Sequence, residues 1–179
     1  MSVKVTDMTI KSIVQQMYEQ NRKVIDVSDL DTSECTSLHG VFANMDELEE
    51  IRGLNSLDLS NSVDMDIAFA DCHSLKQIDL SNVDLHSAVH VISMCQNCYS
   101  LKRLSLSNCN LRNIVNMSNL CYNCPLLEEL DLSHNSFDRL VTATFMHERC
   151  GSLITMKIDD IRLLNYTMFM IERNYHHIC

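Results

Sequence analysis

The fold of this chain is decided by residues 101–111, which read Leu101-Lys102-Arg103-Leu104-Ser105-Leu106-Ser107-Asn108-Cys109-Asn110-Leu111. Leucine fills the first, fourth, sixth and last positions of this stretch, and cysteine fills the ninth. The same pattern starts again at Leu75, Leu127 and Leu153, so successive copies begin about 26 residues apart. A unit repeated at such an interval is typical of solenoids, in which each unit buries its apolar side against its neighbours.

The pattern resembles the leucine-rich repeat, whose unit is L-x-x-L-x-L-x-x-N/C-x-L. Alternating apolar and polar residues predict one short strand per copy, and neighbouring copies are expected to pair in a parallel sheet. The second half of each copy has apolar residues at i, i+3 or i+4, which favours a short helix or helical turn. We therefore predict an α/β leucine-rich-repeat solenoid with a parallel sheet on one face, short helices or helical turns on the other, and an N-terminal capping helix.

Three segments follow from this pattern. Residues 1–23 precede the repeats, and their apolar residues from position 10 to position 17 have helical spacing, so we predict a helix that covers the first layer. Residues 24–163 hold five copies and a final strand, and residues 164–179 form a C-terminal cap and tail. The second copy is one residue longer than the others, and Gly53 replaces a strand leucine, so we expect a bulge there.

A more specific resemblance comes from the segments Asp26-Val-Ser-Asp-Leu-Asp-Thr-Ser33 and Ile114-Val-Asn-Met-Ser-Asn-Leu-Cys-Tyr-Asn-Cys124. They are similar to the BspA-like leucine-rich repeats, with unit L-D-L-S-x-F-D-T-S-x-V-T-N-M-S-x-M-F-x-x-C-x-S-L. That family's Phe and Cys positions are occupied here by Phe42, Phe69, Cys95 and Cys121, and by Cys72, Cys98, Cys124 and Cys150. The resemblance implies a solenoid that presents a surface for protein recognition.

The nine cysteines include two pairs with the spacing of zinc ligands, Cys95-x-x-Cys98 and Cys121-x-x-Cys124. The repeat favours core packing instead, because the column that holds Cys95 and Cys121 holds Phe42 in the first copy. A free cysteine behaves as a small core hydrophobe. We predict no metal and no cofactor, and keep a Cys-rich, zinc-stabilised protein as an alternative.

Composition and charge limit the function classes. The net charge is −10, and residues 24–71 hold twelve acidic side chains against Arg52 alone. An acidic chain repels the negatively charged phosphates of nucleic acids, so direct nucleic-acid binding is not expected. The chain has three glycines and no phosphate-binding glycine motif, and no catalytic Ser/His/Asp or Cys/His set follows from spacing, so an enzyme is not expected.

The N-terminus shows no secretory signal pattern, and no window approaches 18 uninterrupted apolar residues. We therefore expect a cytoplasmic protein that does not contact membranes.

The leading hypothesis is a non-enzymatic module that recognises a protein through the sheet face and the acidic N-terminal half. Residues predicted to line the sheet face are Asp26, Arg52, Asp79, Ser105, Asp131 and Lys157, with Ser81, Ser107 and Ser133 beside them. The acidic cluster is Asp46, Glu47, Glu49 and Glu50. Size and architecture also suggest a viral or pathogen factor that acts on a host protein. An alternative is an acidic decoy that occupies a nucleic-acid-binding site on its target.

Overall fold

The computed structural model describes residues 2–167 and shows a parallel-sheet solenoid with one short strand per coil. Its elements are, in order, β1 (Val3–Lys4), α1 (Ile10–Gln20), β2 (Val24–Asp26), β3 (Leu30–Asp31), β4 (Glu50–Arg52), a 3-10 turn (Leu54–Ser56), β5 (Gln77–Asp79), β6 (Arg103–Ser105), β7 (Glu129–Asp131) and β8 (Thr155–Lys157). The predicted fold class, an α/β repeat solenoid, is confirmed.

The strands pair in the register that the repeat predicts. Strands β5, β6, β7 and β8 form a four-stranded parallel sheet, in which Ile78, Leu104, Leu130 and Met156 lie opposite one another in succession. Strand β2 pairs with β4, and β1 pairs with β3. Each of the partners in the four-stranded sheet is one repeat period away in sequence, so the period of the sequence sets the register.

The sheet is interrupted between β4 and β5, where the longer second copy was expected to bulge. Gly53 has a φ of 79°, in the left-handed region, and leads into the 3-10 turn. A Cβ atom at this position would lie 2.6 Å from the backbone nitrogen of Ser28, so only glycine fits without displacing the neighbouring coil. Leu54 occupies a repeat position that is predicted to point outward, but its side chain turns into the core and is buried.

The side of the solenoid away from the sheet was predicted to hold short helices or helical turns, and it holds turns. Between α1 and residue 161, the described coils contain turns in place of short α-helices. A second ladder of single parallel bridges joins the coils there, through Ser37, Asp64, His90, Asn116 and Thr142. Many residues in these turns have positive φ, and asparagine is the commonest of them, including Asn44, Asn97, Asn119 and Asn123. Asparagine tolerates the left-handed conformation that ends a helix, which explains why these turns do not continue into α-helices.

The core is one continuous column of Leu, Ile, Val, Met and Cys side chains. Leu104, Leu106 and Leu130 in the central coils are fully buried, and burial of a leucine contributes about 1.5–3 kcal/mol. At the N-terminal end, α1 buries Ile10 and Val14 against the first coil.

The segment before α1 is tied to the first coil by a carboxylate. Asp7 accepts hydrogen bonds from the backbone N–H groups of Thr36 (2.8 Å) and Ser37 (3.1 Å), and from the Thr36 hydroxyl (2.6 Å). Residues 161–167 are helical at the other end of the solenoid. Of the predicted C-terminal cap and tail, residues 164–179, the part from 168 to 179 lies outside the described residues. None of the described helices has the length and apolar character needed to span a bilayer.

Candidate binding surface

The first outward column of the sheet is the predicted binding face. Asp79, Ser105, Asp131 and Lys157 are successive partners across β5 to β8, and Asp26 lies opposite Arg52 on β2 and β4. Interruption of the sheet at Gly53 divides this column into two parts. The four residues from Asp79 to Lys157 therefore form the longest continuous part of the predicted face.

A shallow depression of about 200 Å³ lies over the middle of this column. Residues that line it are Gln77, Ile78, Asp79, Arg103, Leu104, Ser105, Glu129 and Asp131. Three of the predicted face residues therefore share one concavity. Its charged side chains are three carboxylates and one guanidinium, so the depression is acidic overall.

The second column, made of serines, forms hydrogen bonds within the turns that follow the strands. The Asp131 carboxylate accepts hydrogen bonds from the Ser133 N–H (3.0 Å) and hydroxyl (2.6 Å), and Asp79 accepts one from the Ser81 N–H (2.9 Å). Ser107 and Ser105 share a hydrogen bond of 3.2 Å between their hydroxyls. The serines therefore close the turn that follows each strand. Ser133, predicted to face outward, is buried.

The same turn in the first coil sets the charge state of its aspartate. The hydroxyl of Ser28 donates to the Asp26 carboxylate at 2.6 Å, and the Ser28 N–H donates to the same oxygen at 3.0 Å. These two hydrogen bonds hold the pKa of Asp26 below its usual value, because they favour the ionised form. Asp26 is therefore an exposed carboxylate that stays charged at neutral pH.

Basic side chains cover part of the sheet face. Lys157 on β8 lies 2.6 Å from Glu129 and 3.1 Å from Asp131, so its ammonium contacts two carboxylates of β7. Arg52 is held by Glu50 through two hydrogen bonds of 2.9 and 3.2 Å. Asp79 has no basic partner within 4.0 Å among residues 2–167. Within β5 to β8, this carboxylate is therefore the face residue most available to an external cation.

The acidic cluster is paired with bases of its own coil and of neighbouring coils. The pairs are Glu47 with Arg22 (3.3 Å), Glu49 with Lys23 (2.9 Å) and with Lys76, Glu50 with Arg52 (2.9 Å), and Asp46 with His73 (3.2 Å). Hydrogen bonds from the two lysines lower the pKa of Glu49 to about 2. Glu47 and Glu49 therefore connect neighbouring parts of the chain, and bases balance the charge of the three glutamates locally.

The thiols of the two CxxC pairs do not converge on one point among the described residues. No three of the thiols in residues 2–167 bring their Sγ atoms within 4.8 Å of one another. Instead, the Cys98 thiol donates to the carbonyl of Phe69 at 3.1 Å, and the Cys124 thiol donates to the carbonyl of Cys95 at 3.1 Å. Burial raises the pKa of Cys95, which keeps that thiol protonated.

One cluster of possible ligands was not found from the sequence. His39, Asp64 and Asp66 lie near the start of the second ladder, with ligand atoms within 4.8 Å of one another. Partial burial, together with the charge of Asp64, raises the pKa of Asp66. The histidine precedes the two aspartates by close to one repeat period in the sequence, which is the signal that would have revealed the cluster.

Comparison with protein families now adds to the geometry. The family model described as "Mycoplasma protein of unknown function, DUF285" matches residues 11–134. The chain belongs to this family. The DUF285 match begins inside α1, includes strands β2 to β7 and ends before β8, so it covers most of the predicted face and the depression. Among curated proteins, none matches the chain.

Proposed function

We propose that this DUF285 protein is a non-enzymatic recognition module that binds a protein partner through the sheet face. The observation that carries the proposal is the acidic depression over β5, β6 and β7, which joins Asp79, Ser105 and Asp131 in one concavity. These side chains are short, so a partner can approach the backbone of the sheet closely. The resemblance to BspA-like repeats supports the same conclusion, because those repeats present a protein-recognition surface.

The chemistry of the depression favours a basic side chain on the partner. Asp79 offers a carboxylate without a basic partner among the described residues, and the hydroxyl of Ser105 lies on the next strand. A lysine or arginine placed here would form a charge-assisted hydrogen bond, which is stronger than a neutral one. Complementary charge would also speed the encounter and select against acidic partners.

The sheet face is proposed as the main contact in preference to the acidic cluster. Glu47, Glu49 and Glu50 are already engaged by bases of the same chain. A partner would have to displace those bases before it could use the carboxylates. The acidic N-terminal half therefore contributes mainly to long-range attraction of a basic partner, through charges such as Asp26.

The test is affinity capture from the source lysate with two matched variants. The double substitution Asp79→Arg/Ser105→Arg fills the depression and changes the net charge by +3. The control Gln16→Arg/Glu19→Arg makes the same charge change on exposed positions of α1. We expect a partner captured by the native protein to be retained by the control and reduced at least about tenfold by the sheet variant, as for loss of a binding hot spot. Equal retention by both folded variants would contradict the proposal.

A further inference from the structure

The second ladder brings one imidazole and two carboxylates together from successive coils. Ser37, Asp64 and His90 are neighbours in this ladder. His39 and Asp66 lie two residues after the first two of them, where the turns of the two coils begin. The ligand atoms of His39, Asp64 and Asp66 accordingly lie within 4.8 Å of one another.

The spacing of these atoms suits a shared metal ion. The Nδ1 atom of His39 lies 3.2 Å from the Oδ2 atom of Asp64. Two ligands bound to zinc at about 2.1 Å, with an angle of about 90–110° between them, lie about 3.0–3.4 Å apart. An ion can therefore replace the direct contact without a large movement of either side chain.

The backbone fixes both carboxylates in position. The Oδ1 atom of Asp64 accepts a hydrogen bond from the Asp66 N–H at 2.8 Å, and the Oδ1 atom of Asp66 accepts one from the Ile92 N–H at 2.6 Å. Each aspartate is thus oriented through one oxygen, while its other oxygen is left for ligation. Hydrogen bonds of this kind, from outside the ligand set, orient metal ligands and strengthen their binding.

An unsatisfied group lies next to this cluster. His90 is the ladder neighbour of Asp64, and its Nδ1 atom is buried without a hydrogen-bond partner in the described structure. Buried polar atoms normally have a partner, so this nitrogen calls for a group that the protein atoms do not supply. A water bound to an ion at the neighbouring cluster is such a group.

Other His–Asp contacts in the chain provide a comparison. His73 with Asp46, His86 with Asp84, and His134 with Asp159 have similar distances of 3.1–3.2 Å. Among residues 2–167, only the His39 contact has a second carboxylate that converges on the same point. The distance alone describes an ion pair, and the second carboxylate is what distinguishes this cluster.

We propose that His39, Asp64 and Asp66 form a binding site for a divalent first-row transition ion of the Zn²⁺ type. An imidazole nitrogen among the ligands favours such an ion over Mg²⁺ or Ca²⁺, which prefer oxygen ligands. Three protein ligands leave at least one position for water, and His90 is placed to accept a hydrogen bond from it. The site joins two coils, so a bound ion would also stabilise their contact.

Zinc titration by calorimetry on the full chain tests this proposal. Asp66→Asn removes one charged ligand oxygen but keeps an acceptor for the Ile92 N–H, so the fold is expected to be unchanged. Its affinity for Zn²⁺ should fall at least about tenfold. The matched control Asp84→Asn makes the same change beside His86, where there is a single carboxylate, and should leave the affinity unchanged. Equal affinities of the native protein and Asp66→Asn would overturn the proposal.

Two further measurements separate this site from other possible ligands. A His176→Gln/His177→Gln variant tests the C-terminal histidines and should bind Zn²⁺ as the native protein does. Loading with Co²⁺ should give a spectrum without the sulfur-to-metal absorption of a cysteine site. Loss of zinc binding in the tail variant, or strong sulfur-to-cobalt absorption, would place the metal elsewhere and refute the assignment.

Discussion

Substitutions of Cys95 and Cys98 should separate the contribution of packing to stability from the contribution of hydrogen bonding. Cys95 and Cys98 are three residues apart and fully buried. The thiol of Cys98 donates to the carbonyl of Phe69 at 3.1 Å. The thiol of Cys95 has no hydrogen-bond partner among the described residues. Substitution of each cysteine by alanine and by serine should therefore give opposite orders of stability.

At position 98, Cys98→Ala should lower the free energy of unfolding more than Cys98→Ser does. Cys98→Ala removes buried contacts worth about 1 kcal/mol and the donor to the Phe69 carbonyl, worth about 1 kcal/mol more, so the cost is about 2 kcal/mol. Cys98→Ser loses a similar amount of apolar burial, but its hydroxyl can donate to the same carbonyl. We expect it to cost about 1 kcal/mol.

At Cys95, the order should reverse. Cys95→Ala loses only packing, at a cost of about 1 kcal/mol, whereas Cys95→Ser buries a hydroxyl without a partner, which adds about 1–3 kcal/mol. Urea unfolding of the four variants in the presence of a reductant measures these differences. If serine is worse than alanine at both positions, the thiols act as apolar filler alone and the hydrogen-bond argument is wrong.

Two other predictions concern the turn at Gly53 and the pairing of Glu49. Gly53→Ala should lower the free energy of unfolding by more than about 1 kcal/mol, because it forces a Cβ into the backbone of Ser28, whereas Gly151→Ala, with open space around it, should be nearly neutral in the same urea assay. The pKa of Glu49 is lowered to about 2 from the usual 4.5, so its contribution to stability is present above pH 4.5 and is lost as the pH falls towards 2. Unfolding of Glu49→Gln at low salt should accordingly depend less on pH between 4.5 and 2, and an unchanged pH dependence would contradict the pairing.

The sheet could be predicted from the sequence because a repeat specifies its own neighbours. Leu104 and Leu130 share a phase, so stacking of the copies places them side by side, as the structure does. For the other half of each coil, the sequence left short helices and helical turns as alternatives. Apolar residues that point inward from successive tight turns have nearly the same spacing as those on a helix, and residues such as Asn97, with a φ of 59°, break the helix.

The residues of the outward columns could be predicted from the alternation of apolar and polar residues. The hydrogen bonds that these residues form within turns could not. Asp131 and Ser133 both have outward phases, yet the serine is buried because it caps the turn that the aspartate closes. Alternation of apolar and polar residues predicts on which side of the strand a side chain lies. It does not predict which groups that side chain hydrogen-bonds. The His39 cluster was missed for a related reason, since His39 is distant in sequence from Asp64 and Asp66 and becomes their neighbour only through the repeat period.

Stacking of the coils also places basic side chains beside the acidic segment. Neighbours in a solenoid are about one period apart in sequence, so a run of acids within one coil is flanked by side chains from the coils on either side. Glu49 lies between Lys23 and Lys76, which come from the preceding coil and the following coil. The electrostatic potential at the acidic cluster is therefore less negative than the run of acidic residues in the sequence suggests. The carboxylate of Asp79, which has no such neighbour among the described residues, gives the sheet face the stronger claim to a basic partner.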